Sequence, residues 1–344
     1  MSTVSYLGRS ITQTIRCSNG HLVYSPVPSS SSSSSALGAT CTAAATTQFL
    51  TSPPYDNYFY SDCHAATQVV VTSPLADSNL SIISPRVIVA WPAGNSGIAT
   101  FFAPESGING TLGIQLLNSS IGSPLGPLYS DSNGGNAAVG ISTQLQFNSS
   151  ATLVVAILGS IRTIRDFTEG PSLLRTDIQD ALKYSTIQNG VELSRLWLDN
   201  ITTTTLSFTS ANQTIKLDNT SVTFPAGTYT LNASFNYPQL TQLSIDEVLG
   251  AQSTDLITQS PSQTTSLSFL SYTTKLTAGG WRFLTYFGRD SVISALLLEP
   301  VLSEGKGGAI EAVISAVLER INSTDGSVCH EETIGWAFLQ NETA

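Results

Sequence analysis

Residues 86–91 read RVIVAW and residues 100–102 read TFF, with Pro92, Gly94, Asn95 and Gly97 between them. β-Branched and aromatic residues suit a pleated, half-buried surface, and the intervening residues are those that turn a chain. The same pattern recurs on both sides. Residues 68–71 (QVVV), 205–208 (TLSF), 220–224 (TSVTF) and 228–235 (TYTLNASF) read as strands. Residues 140–147 alternate apolar and polar, and residues 153–161 form an apolar run of the kind found in a buried central strand. Short strands at close spacing predict an antiparallel β-sandwich over residues 51–250. One stretch departs from the pattern. Leu173, Leu174, Ile178, Leu182 and Tyr184, followed by Leu193, Leu196 and Trp197, predict a helical insertion near 172–198.

Beyond Pro261 the period changes. Ile310, Val313, Ile314, Val317, Leu318 and Ile321 fall at i, i+3, i+4, i+7, i+8 and i+11, a helical stripe. Residues 291–298, with Val292, Ile293, Leu296 and Leu297, read as an earlier helix, and Pro300, Gly305, Gly307 and Gly308 separate the two. This predicts an antiparallel αα-hairpin. Residues 336–339 (WAFL) read as the start of a third helix, so the sequence is expected to be truncated inside a helical domain. Before residue 51, Pro26, Pro28 and the serine run 29–35 make a low-complexity lead-in over 1–50 that buries too little apolar surface to order itself. Residues 251–268 are read as a linker, and 269–344 as the incomplete helical domain.

Composition narrows the function classes. Of 344 residues, 11% are charged, against about 25% in an average globular protein, and Ser and Thr carry much of the polarity instead. The net charge of −10 and the absence of any Lys/Arg-rich run exclude a nucleic-acid partner. The longest apolar run, residues 153–159, is far below the roughly 20 residues of a membrane span. No CxxC occurs and the three histidines are scattered, so no His/Cys metal site and no cofactor are expected.

Ten Asn-X-Ser/Thr triplets mark candidate N-glycosylation sites: Asn79, Asn109, Asn118, Asn148, Asn200, Asn212, Asn219, Asn232, Asn322 and Asn341. Many stand beside turn-forming Asp, Gly or Ser. They predict a secreted protein or one of the secretory lumen. The first sixteen residues lack the apolar block of about 7–15 residues of a signal peptide, so that segment is expected to be lost or to lie upstream. Cys17, Cys41, Cys63 and Cys329 fit an oxidising compartment, and four cysteines leave three full pairings open.

The chemistry is expected in residues 279–291, GGWRFLTYFGRDS. Aromatic rings around an Arg-Asp pair suit a pyranose, whose C–H faces lie on rings and whose hydroxyls need paired donors and acceptors. Arg289 offers a fork of donors and Asp290 acceptors. The purely structural alternative has Asp290 capping the next helix and Arg289 paired with a nearby acid. The stretch from about 269 to 338 resembles the catalytic domain of six-hairpin glycosidases, in particular the glycogen-debranching (amylo-α-1,6-glucosidase) and glucoamylase-like groups. The resemblance is carried by the Tyr286–Ser291 run, the helix after it, and Asp325-Gly326, His330-Glu331-Glu332 and Ile334-Gly335.

The resemblance implies an (α/α)6 toroid following the sandwich, begun but not completed here, and an exo-acting, inverting hydrolase of α-glucans. It implies sugar binding by Trp281, Tyr286, Phe287, Arg289 and Asp290. Glu331 and Glu332 become the catalytic candidates, with Asp290 an alternative acid. The second catalytic carboxylate would come from beyond Ala344, so the chain alone is expected to be inactive. A solvated loop is the plain alternative for 330–332, and HExxH is excluded because Ile334 stands where the second His would be. From another class, a non-catalytic carbohydrate-binding or cell-surface β-sandwich glycoprotein also fits.

Overall fold

In the strand Gly227–Phe235, Tyr229, Leu231, Ala233 and Phe235 are buried, while Thr228, Thr230, Asn232 and Ser234 occupy the opposite, half-buried face. The period of two places one apolar row per strand on a common core. The computed structural model describes residues 2–6, 9–13, 16–18, 21–23, 44–74, 84–118, 123–130, 137–169, 173–198, 200–237, 239–282, 285–328 and 331–333.

These residues fall into two units. The first, built on residues 44–92 and 96–239, holds two antiparallel sheets. One runs in the order Lys216–Asp218, Ser221–Phe224, Ala151–Ser160, Ser96–Pro104, Arg86–Trp91, Ala66–Thr72, Tyr55–Ser61 and Thr46–Ser52. The other runs Ile114–Leu117, Ala138–Phe147, Gly227–Phe235, Thr203–Thr209, Gly190–Leu196 and Lys183–Ile187, with Gly126–Ser130 also on Ala138–Phe147. Phe102 and Phe224 of the first sheet meet Phe147, Phe208 and Tyr229 of the second, with ring centroids 5.0–6.4 Å apart and edges turned to faces. The Tyr229 hydroxyl donates to the Pro225 carbonyl at 2.5 Å, so the one polar atom of this cluster is satisfied. Arg195 is 1% exposed and donates from Nη1 to the Leu158 carbonyl at 2.7 Å, from one sheet to the other.

The helix Ile161–Glu169 covers the outer face of the first sheet. Gly97 permits this: a Cβ there would stand 2.9 Å from Ile164 Cδ1 and 3.1 Å from the Val89 carbonyl oxygen. Phe167 then meets Phe101 edge to face at 5.4 Å. The sequence pattern placed a helical insertion over 172–198. Helix there is confined to Thr176–Asp180, and Lys183–Ile187 with Gly190–Leu196 form a hairpin turned at Asn189, whose φ is +58°. The apolar spacing fits both periods over so short a stretch, and the two-residue turn Gln188-Asn189, with Asn189 in the left-handed region, decided between them.

The second unit is built on residues 240–333, with 93–95 and the early strands. Its helices include Pro261–Phe269, Gly288–Leu298 and Ala309–Leu318, preceded by a short turn, Ile245–Val248, that Ser244 and Glu247 close as a reciprocal capping box. Leu243, Val248, Leu249, Leu276, Ala295, Leu302, Ala309 and Val313 form its core. Thr285–Phe287 pairs with Glu331–Thr333, which pairs in parallel with His21–Val23, itself paired with Arg16–Ser18. Ser2–Tyr6 and Arg9–Gln13 make a hairpin, while the serine run 29–35 lies outside the described residues.

This corrects the expected fold class. Antiparallel strands dominate the described residues, and a single helix pair flanked by short strands stands where the opening of an (α/α)6 toroid was expected. No ring of helical hairpins is present among them. The apolar stripe misled because only one edge of it, Ile310 and Val313, faces the core. Ala309, Ala312, Val313 and Ala316 are buried, whereas Ile314, Leu318 and Ile321 are 43–58% exposed. Among the described residues no helix is long and apolar enough to cross a membrane.

Two outcomes are expected. Phe102→Ala removes the ring shared by three aromatic contacts and should lower unfolding free energy by about 3–5 kcal/mol in urea titration. Burial, aided at Tyr58 by Asp56, pushes the Tyr58 and Tyr229 phenols up to about 12. Above pH ~10 the unfolded chain loses phenolic protons that the fold retains. The urea midpoint should therefore fall as pH rises from about 10 towards 12, whereas a flat midpoint would remove the linkage.

Candidate functional site

The strand Thr285–Phe287 runs directly into the helix Gly288–Leu298. Phe287 is the N-cap, in extended conformation and without a side-chain capping bond, and the helix starts at Gly288. Asp290 is thus the third residue of the first turn, where its charge complements the helix dipole, and it does not cap. Arg289 and Asp290 are both exposed, and neither side chain makes a hydrogen bond or an ion pair among the described residues. The structural alternative for this pair is therefore not what the fold uses.

Tyr286 is fully buried. The Arg320 guanidinium lies 4.6 Å from its ring centroid and the Lys275 ammonium 5.4 Å. Two cations attracted to one electron-rich ring fix the strand end from which the helix departs. Gly288 leaves room for this, since a Cβ there would stand 2.6 Å from Arg320 Nη2. Ser291, also buried, donates from Oγ to the Leu276 carbonyl at 3.1 Å and ties the first helical turn to Lys275–Leu276. Trp281 is 8% exposed and Phe287 is half-buried. Of the expected sugar-binding residues, Trp281 and Tyr286 thus have buried rings, and Arg289 and Asp290 lie open.

Glu332 is paired with Tyr286 and Glu331 with Phe287 in the antiparallel register. The two acids, more than forty residues further along the chain, are brought beside the strand that leads into the Arg-Asp pair. Arg320 and Lys275 carried no sequence signal, because each is a lone basic residue whose role exists only once the strand is placed over it. Among the described residues no group of three or more His, Cys, Asp or Glu side chains could hold a metal ion.

A second polar cluster lies in the sandwich. Tyr60 and Tyr129 both donate to Asp62 Oδ2, the former at 3.0 Å, and the His64 and Ala65 amides donate to Asp62 Oδ1 at 2.9 and 3.2 Å. The His64 ring meets Tyr129 edge-on at 4.5 Å, and Cys63, between Asp62 and His64 in the chain, is disulfide-bonded. With all four donors converging on one carboxylate, this arrangement fixes a turn, and burial beside Asp62 pushes the Tyr60 phenol up.

The candidate glycosylation sites fall mostly in turns. Asn109, Asn118, Asn148, Asn200, Asn212, Asn219 and Asn322 are exposed, Asn232 is half-buried in mid-strand, and Asn79 and Asn341 lie outside the described residues. Asn200 and Asn219 adopt φ of +57° and +53°, a conformation that itself favours Asn. Asn322 accepts from the Thr324 amide at 2.9 Å, and Asn148 from the Gly113 amide at 2.7 Å, both through Oδ1.

Arg289→Ala and Asp290→Ala are expected to leave the thermal midpoint within about 3 °C, since only helix-end electrostatics changes. Tyr286→Ala should cost about 3–5 kcal/mol. Differential scanning fluorimetry separates the two classes, and a large drop for Asp290→Ala would make that residue structural.

No protein-family model matches this chain, and no curated protein matches it.

Proposed function

We propose that residues 286–290 and 331–332 are the sugar-facing part of a glycoside hydrolase site in an N-glycosylated protein of the secretory route. The substrate is the non-reducing end of an α-glucan. The observation that carries this reading is the pairing of Tyr286 with Glu332 and Phe287 with Glu331, directly before an exposed, unpartnered Arg-Asp pair. Arg289 donates to two adjacent hydroxyls and Asp290 accepts from them. Glu331 or Glu332 protonates the departing glycosidic oxygen, while a second carboxylate takes a proton from the attacking water, giving inversion. The exposed turn asparagines and the Cys63 disulfide support the secretory assignment.

One observation favours a non-catalytic carbohydrate-binding or cell-surface glycoprotein instead. The Trp281 and Tyr286 rings are buried, which leaves less stacking surface than a tight pyranose subsite offers.

The full chain, made in a eukaryotic secretory host, is tested with maltotriose by saturation-transfer NMR and by glucose release. Contact signals are expected, weakened about ten- to a hundredfold in Arg289→Ala and Asp290→Ala, the effect of losing a charged hydrogen bond. Glucose release that Glu331→Gln or Glu332→Gln abolishes decides for the hydrolase. Contact that Glu331→Gln and Glu332→Gln leave unchanged decides for the binding protein, and absence of contact removes the α-glucan.

A further inference from the structure

Asn232 differs from the other described glycosylation triplets, because it stands in mid-strand. Its strand, Gly227–Phe235, is paired on both sides, with Asn232 opposite Ser142 on one neighbour and Ser207 on the other. Residues i and i+2 of a strand share a face, so Ser234, the hydroxyl residue of the triplet, lies beside Asn232, as does Thr230. Gln144 and Thr205 extend this patch on the flanking strands, opposite Thr230 and Ser234 respectively. Every one of these side chains can donate and accept hydrogen bonds, and Ala138–Phe147, Gly227–Phe235 and Thr203–Thr209 contain no charged residue. A solvated sheet face ordinarily carries Lys and Glu against sticking to its own kind; these three strands have none, and the nearest charge in the row of Asn232 is Glu192, opposite Ser207 on Gly190–Leu196. The strands are about 4.8 Å apart, so the three offer a flat bed roughly 10 Å wide.

Asn232 is seated at its middle. Asn232 is half-buried; the Oδ1 of its amide is buried and accepts no hydrogen bond among the described residues, while Nδ2 is not one of the buried atoms left without a partner. The amide is therefore turned with its nucleophilic nitrogen towards the open side.

We propose that this sheet face is the bed of an N-glycan carried by Asn232, which lies along the hydroxyl and amide side chains instead of projecting into water. The inference rests on the secretory reading given above and goes beyond it in setting one glycan apart from the rest. The carbohydrate comes from a lipid-pyrophosphate-linked oligosaccharide before the strand pairs. Asn232 Nδ2 bonds to C1 of the first N-acetylglucosamine, the C1–oxygen bond to pyrophosphate breaks, the lipid pyrophosphate leaves, and the amide nitrogen gives up one proton. The short neighbours Ser142 and Ser207 leave the sugar room when the sheet closes, and the glycan covers the uncharged face.

The test is site-resolved glycopeptide mass spectrometry on the full chain from a eukaryotic secretory host, after amidase deglycosylation in ¹⁸O-water of native and of denatured protein. Asn232 should be occupied and released from the native fold at least about tenfold more slowly than Asn109, Asn200 and Asn219, since cleavage there waits on local opening. Denaturation should equalise the rates. Ser142→Val with Ser207→Val should speed native release at Asn232 towards that of the turn sites. Occupied turn asparagines with a bare Asn232, or equal native rates at all sites, overturn the inference and leave the secretory reading standing. Bare asparagines throughout overturn both.

Discussion

The sandwich depends on one contact: the cluster in which Phe102 and Phe224 of one sheet interlock with Phe147, Phe208 and Tyr229 of the other. Buried rings supply the largest apolar area per residue, and their edge-to-face preference fixes both the spacing and the orientation of the sheets. The remaining order is subordinate to it. With one row of each strand committed to the cluster, the alternate row must be polar or covered. On the eight-stranded sheet part of it, over Ser96–Pro104 and Ala151–Ser160, is covered by a helix that approaches closely because Gly97 has no side chain. On the other sheet it is a surface of hydroxyls and amides.

The unit that carries the proposed site is built on a smaller scale. Its core is lined by Ala295, Ala309, Ala312 and Ala316 as much as by leucine, so the helices approach closely and their longer side chains point away. Leu296 and Leu297 are each 74% exposed. What holds the site is local: a buried tyrosine between two cations, a serine tied to a neighbouring carbonyl, and a glycine that admits the arginine. These position the first turn of the helix without engaging Arg289 or Asp290, which remain available to a ligand.

Much of this architecture could be read from the residues. Strands such as Arg86–Trp91 and Gly227–Phe235 declared themselves by β-branched and aromatic content and by alternation, which survive any tertiary context. Two kinds of feature did not show. The helix Ile161–Glu169 follows a buried strand with only Gly159 and Ser160 at the change, and although the Ser160 Oγ caps the helix by accepting from the Thr163 amide at 3.1 Å, the apolar run at 153–161 spans both and masks them. The helical stripe at 310–321 was periodic, yet periodicity names a face without saying what covers it, and the alanines one position away were the ones packed. At the site, the Arg-Asp pair was visible as a motif. The pairing that sets Glu331 and Glu332 beside the strand leading into it depends on a register between distant strands, which no local pattern encodes.

Arg195 has a consequence of its own. A neutral core tolerates small errors of strand alignment, because one aliphatic group resembles another. A buried guanidinium does not: its proton must meet the Leu158 carbonyl, or a charge is stranded where water cannot reach it. Sliding Gly190–Leu196 by one residue would also turn Arg195 outwards and put Ser194 or Leu196 in its place. The guanidinium acts as a key cut for a single alignment, making the misaligned sandwich costly and the correct one unique.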